Sequence, residues 1–327
     1  MDEPIVIDGL TLHPELQFLL DLRAKRNAPP LPTLSVEEIR AVTLREAVVA
    51  AGVPTPVGAV TDLVVAGAVG PLRARLYVPP SNWSGLLVFF HGGGFVFGDV
   101  DSHDGTCRLL CAGGEFAVLS VEYRLAPEDP FPACVDDAWT AWRWVLANAS
   151  SLPGAPADLR IGVGGDSAGG LLSAVVCQLA ARTGVVPPAL QLLIYPAISR
   201  GVDSRSMQLF ADGFFLTRVE IDFFESCLLR GIEDDPSDFR GHPLAGDLSG
   251  LAPAIVVTGG FDPLRDGGED YAAALQAAGT PATLRRYDSL IHGFINMIGF
   301  SPACRAATEE IARETAALFA AQLRTPA

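Results

Sequence analysis

The stretch that most constrains this chain is Ile161-Gly162-Val163-Gly164-Gly165-Asp166-Ser167-Ala168-Gly169-Gly170, where a short apolar run breaks into glycines around one serine and continues as a long apolar segment. It reads as a strand, a sharp turn and a helix from about Ala168 to Arg182. The spacing Gly165-x-Ser167-x-Gly169 is that of a nucleophile elbow, in which flanking glycines lack the Cβ atoms that would collide in a strained turn. The Ser167 hydroxyl then projects clear of the sheet, beside the N–H groups and positive dipole end of the helix.

Around this turn the apolar pattern has the rhythm of an α/β protein. Leu86 to Phe90, Phe116 to Val121, Leu159 to Val163, Leu190 to Tyr195, Ala254 to Thr258 and Thr283 to Tyr287 are short apolar runs, most of them separated by helical segments. That predicts a mostly parallel sheet covered on both faces. Val60 to Ala66 and Leu72 to Val78 alternate around Gly67 and Gly70-Pro71, which predicts an antiparallel hairpin at one edge.

Two regions do not fit a strand–helix repeat. Residues 1 to about 50 hold amphipathic stretches at Pro14 to Arg26 and Ser35 to Ala50, the second opened by Ser35 with Glu38 three residues on, a capping box. They are read as a helical cap, with residues 51–327 forming the catalytic domain. The interval from about 197 to 251 is too long for a simple crossover and is read as a second cap insertion. Its Phe214, Phe215, Phe223 and Phe224, with Leu290 beside the last strand, are candidates to line an apolar pocket.

Acyl transfer from a serine needs a base, an acid that orients it, and donors for the oxyanion. After the strand Leu86 to Phe90 comes His91-Gly92-Gly93-Gly94-Phe95, the HGGG loop pattern of an oxyanion hole. The N–H groups of Gly93, Gly94 and Ala168 are the expected donors. A phosphate loop is the competing reading of these glycines, and no GxxxxGK[ST] follows. Of five histidines, His292 alone follows the last strand, in the order Ser, acid, His, whereas His103 and His242 stand in polar loops. Asp262, just past the strand ending at Thr258, is the acid, and Asp266 is expected to cap the next helix instead. Asp166 is read as a carboxylate that holds neighbouring loops.

A net charge of −15 leaves no basic stripe for nucleic acid, and no window of about 18 apolar residues reads as a membrane span. The acidic start, Met1-Asp2-Glu3-Pro4, lacks a secretory pattern, and the six cysteines show no CxxC pair. Buried free thiols in a cytoplasmic protein, with no metal, are the expectation.

With these residues assembled, the chain resembles the hormone-sensitive-lipase family of α/β hydrolases and its bacterial (family IV) carboxylesterases. The resemblance includes Tyr123-Arg124-Leu125-Ala126-Pro127-Glu128, Phe131-Pro132-Ala133, Asp262-Pro263-Leu264-Arg265-Asp266 and Ile291-His292-Gly293-Phe294. It implies an eight-stranded α/β-hydrolase sheet, a helical N-terminal cap and a serine esterase for short- to medium-chain acyl esters. It also implies a triad of Ser167, Asp262 and His292, no cofactor, and a homodimer paired through the last strand. An amidase or deacetylase would use the same triad. Plant gibberellin receptors also resemble this family and bind a small ligand without turning it over, but they lack the histidine that His292 supplies here. Two departures are visible: Gly267 stands where relatives usually carry an acidic residue, and Ser289-Leu290 replaces a more usual Gly-Met.

Overall fold

In the computed structural model, which describes residues 3–26 and 28–322, the chain opens with a two-stranded hairpin, β1 (Val6–Ile7) and β2 (Leu10–Thr11), that no apolar alternation announces. Helices α1 (Pro14–Arg26) and α2 (Val36–Ala51) follow. The expected capping box starts α2: the Glu38 N–H donates to Ser35 Oγ at 3.2 Å and the Ser35 N–H to Glu38 Oε2 at 2.8 Å.

Strands β3 (Ala59–Ala66) and β4 (Pro71–Val78) form the edge hairpin, and β5 (Gly85–Phe90) begins the parallel part. Helix α3 (Asp104–Gly114), β6 (Ala117–Val121), α4 (Ala133–Asn148), β7 (Arg160–Asp166) and α5 (Ala168–Thr183) lead to β8 (Gln191–Ile194). The insertion contributes α6 (Arg205–Leu209) and α7 (Arg218–Leu228). The chain closes with β9 (Ala254–Phe261), α8 (Arg265–Ala277), β10 (Ala282–Ile291) and α9 (Pro302–Gln322). The eight-stranded sheet runs β10-β9-β8-β7-β5-β6-β4-β3, parallel from β10 to β6 and antiparallel at the last two pairings.

Continuous apolar strands pack on both faces because their residues alternate between two cores. Leu86, Val88 and Phe90 of β5 join Trp142 of α4 and Leu172 and Val176 of α5. Leu87 and Phe89 point the other way, to Leu110 of α3 and Ile311 and Phe319 of α9. Each fully buried side chain of this size contributes about 1.5–3 kcal/mol. All six cysteines are buried and unpaired.

The N-terminal helices are tied to this body by specific bonds. The His13 N–H donates to Ser289 O at 3.0 Å, Ser301 Oγ donates to Glu15 at 2.5 Å, and Gly299 N donates to Ala50 O at 2.9 Å. Arg40 of α2 spans the gap: its Nε donates to Val96 O at 2.9 Å and its guanidinium grips Glu128 at 2.8 and 2.7 Å.

The tightest backbone approach lies at the elbow. Phe90 of β5 is in register with Gly165 of β7, and a Cβ at either Gly165 or Gly169 would run into the Phe90 carbonyl oxygen. Gly169→Ala should therefore cost at least about 4 kcal/mol, in the range reserved for severe steric mechanisms. Urea unfolding of the purified variant, or its failure to accumulate as folded protein, checks this.

Candidate active site

Ser167 joins β7 to α5 with φ +52° and ψ −116°. A residue with a side chain held there costs of order 1–3 kcal/mol, supplied by the surrounding packing. The turn is over-determined: the Ser167 N–H donates to Ile194 O at 2.8 Å, and Ser167 O accepts from Ala197 N at 3.0 Å. Its hydroxyl lies 3.1 Å from His292 Nε2.

His292 directly follows β10, and Asp262 directly follows β9. Because β9 and β10 are adjacent parallel strands, their carboxyl ends bring the two side chains together. His292 Nδ1 lies 2.8 Å from Asp262 Oδ2, and Asp262 Oδ1 accepts the Leu264 N–H at 2.8 Å. Asp262 is fully buried, while Ser167 and His292 keep 8% and 7% exposure, enough to meet a small molecule. The Tyr195 ring packs on the imidazole, 4.5 Å between centroids.

The glycine run forms the opposite wall. Gly93 has φ +120°, a conformation side chains rarely adopt, and the carbonyl of Gly93 accepts from Val96 N and Phe97 N, both at 3.0 Å. The Gly93 and Gly94 N–H groups find no acceptor in the chain among the described residues. Ala168 N is the first orphan donor of α5. Donors left free by the fold, next to a serine hydroxyl, are what a developing oxyanion requires.

Asp166 sits beneath both walls. Its Oδ1 accepts the Gly92 N–H at 2.8 Å and lies 3.2 Å from His103 Nε2, and its Oδ2 is approached by Tyr195 Oη at 3.4 Å. Burial pushes this carboxyl up, but the neighbouring His103 and the bonds from His103 and Gly92 outweigh it and hold it below its ordinary value. His103 is a correction to the sequence reading. It is 5% exposed, not on a polar loop surface, and its Nδ1 lies 3.0 Å from Ser102 Oγ. Ser102-His103-Asp104 looks solvated in one dimension, and partners distant in the chain, Asp166 and Asn296, meet it where it turns inward. His242 does lie outside this centre, 2.9 Å from Asp234.

Asp266 is also corrected. It makes no helix cap. Its Oδ2 accepts the Ser206 N–H at 2.7 Å and its Oδ1 meets Arg265 Nε at 2.9 Å, tying α8 to the insertion. Gly267 has a packing reason to lack an acidic side chain, since a Cβ there would stand 2.6 Å from Ser199 Oγ.

A cavity of about 1160 Å³ opens above the serine, lined by Ser167, His292, Gly93 and Gly94 from the sheet side and by residues of α1, α2 and α7. Of the five pocket candidates, Phe215 and Phe224 line it. Phe214, Phe223 and Leu290 do not. Phe214 packs edge-on to Phe210, 5.3 Å away, and Leu290 shares that core. Phe223 lies behind Phe224 at 5.7 Å. Adjacent residues of a loop or helix cannot all face one cavity, and composition alone does not say which ones turn away. Among the described residues no group of three His, Cys, Asp or Glu side chains is arranged to hold a metal ion.

The glycine loop carries a pH consequence. His91 is fully buried, its Nδ1 lies 2.8 Å from Gly92 O, its Nε2 has no hydrogen-bond partner among the described residues, and its ring stacks on Tyr123 at 4.3 Å. Burial, aided by nearby His103, pulls its imidazole down to about 4. The unfolded chain therefore binds a proton that the folded chain refuses, and stability falls as pH drops from about 6.5 towards 4, by roughly 3 kcal/mol in full. Urea unfolding of wild type and His91→Gln across pH 7 to 4.5 should show a shallower acid loss in the variant.

Comparison with known proteins shows which family the chain resembles. A family model described as alpha/beta hydrolase fold matches residues 87–296. The chain is 46% identical to the carboxylic ester hydrolase LipN of Mycobacterium tuberculosis over 94% of its own length and 83% of that protein. It is 34% identical to an ethyl acetate hydrolase of Pseudomonas putida, covering 88% of this chain and 93% of that one. Among solved structures, an ester hydrolase from the metagenome of Lake Arreo, crystallised with a bipyridine phosphonate derivative, superposes with a TM-score of 0.90 at 39% identity. That match covers 94% of this chain and 99% of the other. Fold, motif order and sequence identity converge: the chain belongs to the hormone-sensitive-lipase-like, family IV carboxylesterases of the α/β-hydrolase superfamily.

Proposed function

We propose that this serine carboxylesterase works through Ser167, His292 and Asp262 on short- to medium-chain acyl esters. The observation that carries the assignment is the unbroken chain Ser167 Oγ to His292 Nε2 to His292 Nδ1 to Asp262 Oδ2, at 3.1 and 2.8 Å, on the floor of the cavity. His292 takes the hydroxyl proton as Ser167 attacks the ester carbonyl, then gives it to the departing alcohol oxygen. The N–H groups of Gly93, Gly94 and Ala168 receive the oxyanion, each such donor contributing about 3 to 4 kcal/mol in related chemistry. Water activated by the same imidazole then releases the acyl group. Asp262 holds the imidazole with its proton on Nδ1 and stabilises the cation that forms.

Leu19, Leu22, Leu31, Phe97 and Leu228 give the cavity apolar walls, which supports an acyl ester as substrate, and the short- to medium-chain range is what the family resemblance implies. Helices α1 and α2 and the insertion serve as its lid. No helix among the described residues is long and apolar enough to cross a membrane, and six unpaired thiols suit a reducing compartment such as the cytoplasm.

Ser167→Ala should abolish hydrolysis of p-nitrophenyl butyrate while leaving the circular dichroism spectrum unchanged. Asp262→Asn should lower kcat by roughly 10⁴-fold, by analogy with the loss of the aspartate in serine proteases. Asp266→Asn, which alters contacts to Ser206 and Arg265 and none to the reacting atoms, should lose less than about tenfold. Steady-state rates of the three variants check the set, and a larger loss in Asp266→Asn than in Asp262→Asn reverses the assignment.

We also propose a homodimer paired along the outer edge of β10 at about Thr283 to Tyr287, short of the stretch where His13 bonds Ser289. Sedimentation velocity at micromolar concentration should show a species near twice the 34.4 kDa chain mass; a monomer alone refutes it.

A further inference from the structure

Phe215 holds a backbone conformation that glycine adopts freely and phenylalanine does not. Its φ is +76°, and the Leu216 N–H donates to Phe214 O at 3.1 Å across it. That hydrogen bond makes Phe215 the centre of a γ-turn of the positive-φ kind, which is rare and strained. Two residues earlier, where φ is +85°, the chain does use glycine, Gly213. A ring kept at a position where its absence would relieve strain is kept for what the ring contacts.

Its contacts join two parts of the molecule. On one side the ring edge closes against Gly293, the residue after His292; a Cβ there would stand 3.0 Å from Phe215 Cε1. On the other, the guanidinium of Arg23, from α1, lies 4.5 Å from the ring centroid, a distance at which a cation is attracted by the π face. Arg23 in turn faces Glu46 of α2 at 3.8 Å. Phe215 and Arg23 both line the cavity, so the pair forms a wall running from the N-terminal helices to the histidine loop.

Which half of an ester meets this wall follows from the chemistry of proton return. The departing oxygen must come within hydrogen-bond reach of His292 Nε2, whereas the carbonyl oxygen turns to Gly93, Gly94 and Ala168. The alcohol portion therefore lies on the histidine side. We propose that Phe215, held in place by its turn and by Arg23, is the specificity-determining residue for the alcohol: it admits small primary alcohols and excludes bulky secondary ones. This deepens the ester-hydrolase reading and rests on it.

The test compares kcat/KM along two series, acetates of ethanol, cyclohexanol and menthol, and ethyl esters of acetic, butyric and octanoic acid. Phe215→Gly keeps the turn and removes the ring. It should raise the ratio of menthyl to ethyl acetate by about tenfold or more, the scale on which pocket contacts discriminate, with the octanoate-to-acetate ratio moving less than about twofold. Phe215→Leu, which retains apolar packing in case the glycine variant folds poorly, should shift the alcohol ratio in the same direction by less, as should Arg23→Gln. An unchanged alcohol ratio in both Phe215 variants, or a change confined to the acyl series, overturns the proposal while wild-type turnover of ethyl acetate leaves the esterase reading standing. Wild-type silence on every ester, with Ser167 inert to a fluorophosphonate probe, overturns both.

Discussion

The site depends on one steric fact, the approach of the first turn of α5 to the carbonyl end of β5. Gly165 and Gly169 admit the Phe90 carbonyl oxygen where any side chain would exclude it. That approach forces the serine between them into a positive-φ turn, lifts its hydroxyl out of the sheet, and points the free N–H groups of a helix start at the same space. The next strand crossing then places Gly92 over Asp166, so the nucleophile and the oxyanion loop are fixed to one another through a single buried carboxylate. A buried carboxylate is costly unless its oxygens find partners, and Gly92, His103 and Tyr195 gather on Asp166 to supply them.

What was legible in the sequence is what backbone geometry enforces locally. The strand rhythm, the elbow, the glycine loop, the edge hairpin and the Ser35 capping box each leave a short pattern because few residue types satisfy their conformations. His292 and Asp262 were legible through chain order, since adjacent parallel strands deliver their carboxyl ends to one edge. The rest depended on partners far away in the chain. His103 turns inward to Asp166, 63 positions on, and to Asn296, further still. Asp266 turns away from its own helix because the Ser206 N–H needs an acceptor. Phe214 and Phe215 are identical neighbours, yet one enters the core and the other lines the cavity, which no periodicity in a short loop can decide.

The cavity is assembled from segments that have no pattern in common. The N-terminal helices and the insertion meet above the serine, and each is anchored by polar bonds as well as packing: Arg40 of α2 pairs with Glu128, Asp266 of α8 accepts the Ser206 N–H of the insertion, and Phe214 packs on Phe210. Polar anchors with several bonds each fix position at modest net energy, whereas apolar contacts let a wall change shape at small cost.

The six cysteines lend themselves to a use unrelated to catalysis. They are distributed over α3, α4, α5, α7 and α9, on both sides of the sheet, and all are buried. Burial pushes each of the perturbed thiols up, Cys304 to about 11, so little reactive thiolate forms near neutrality even when reagent is present. Alkylation at any one of them then waits for its own helix to open. The native protein thus carries a built-in set of clocks, and the order in which the thiols are modified ranks the helices by the free energy of their local unfolding.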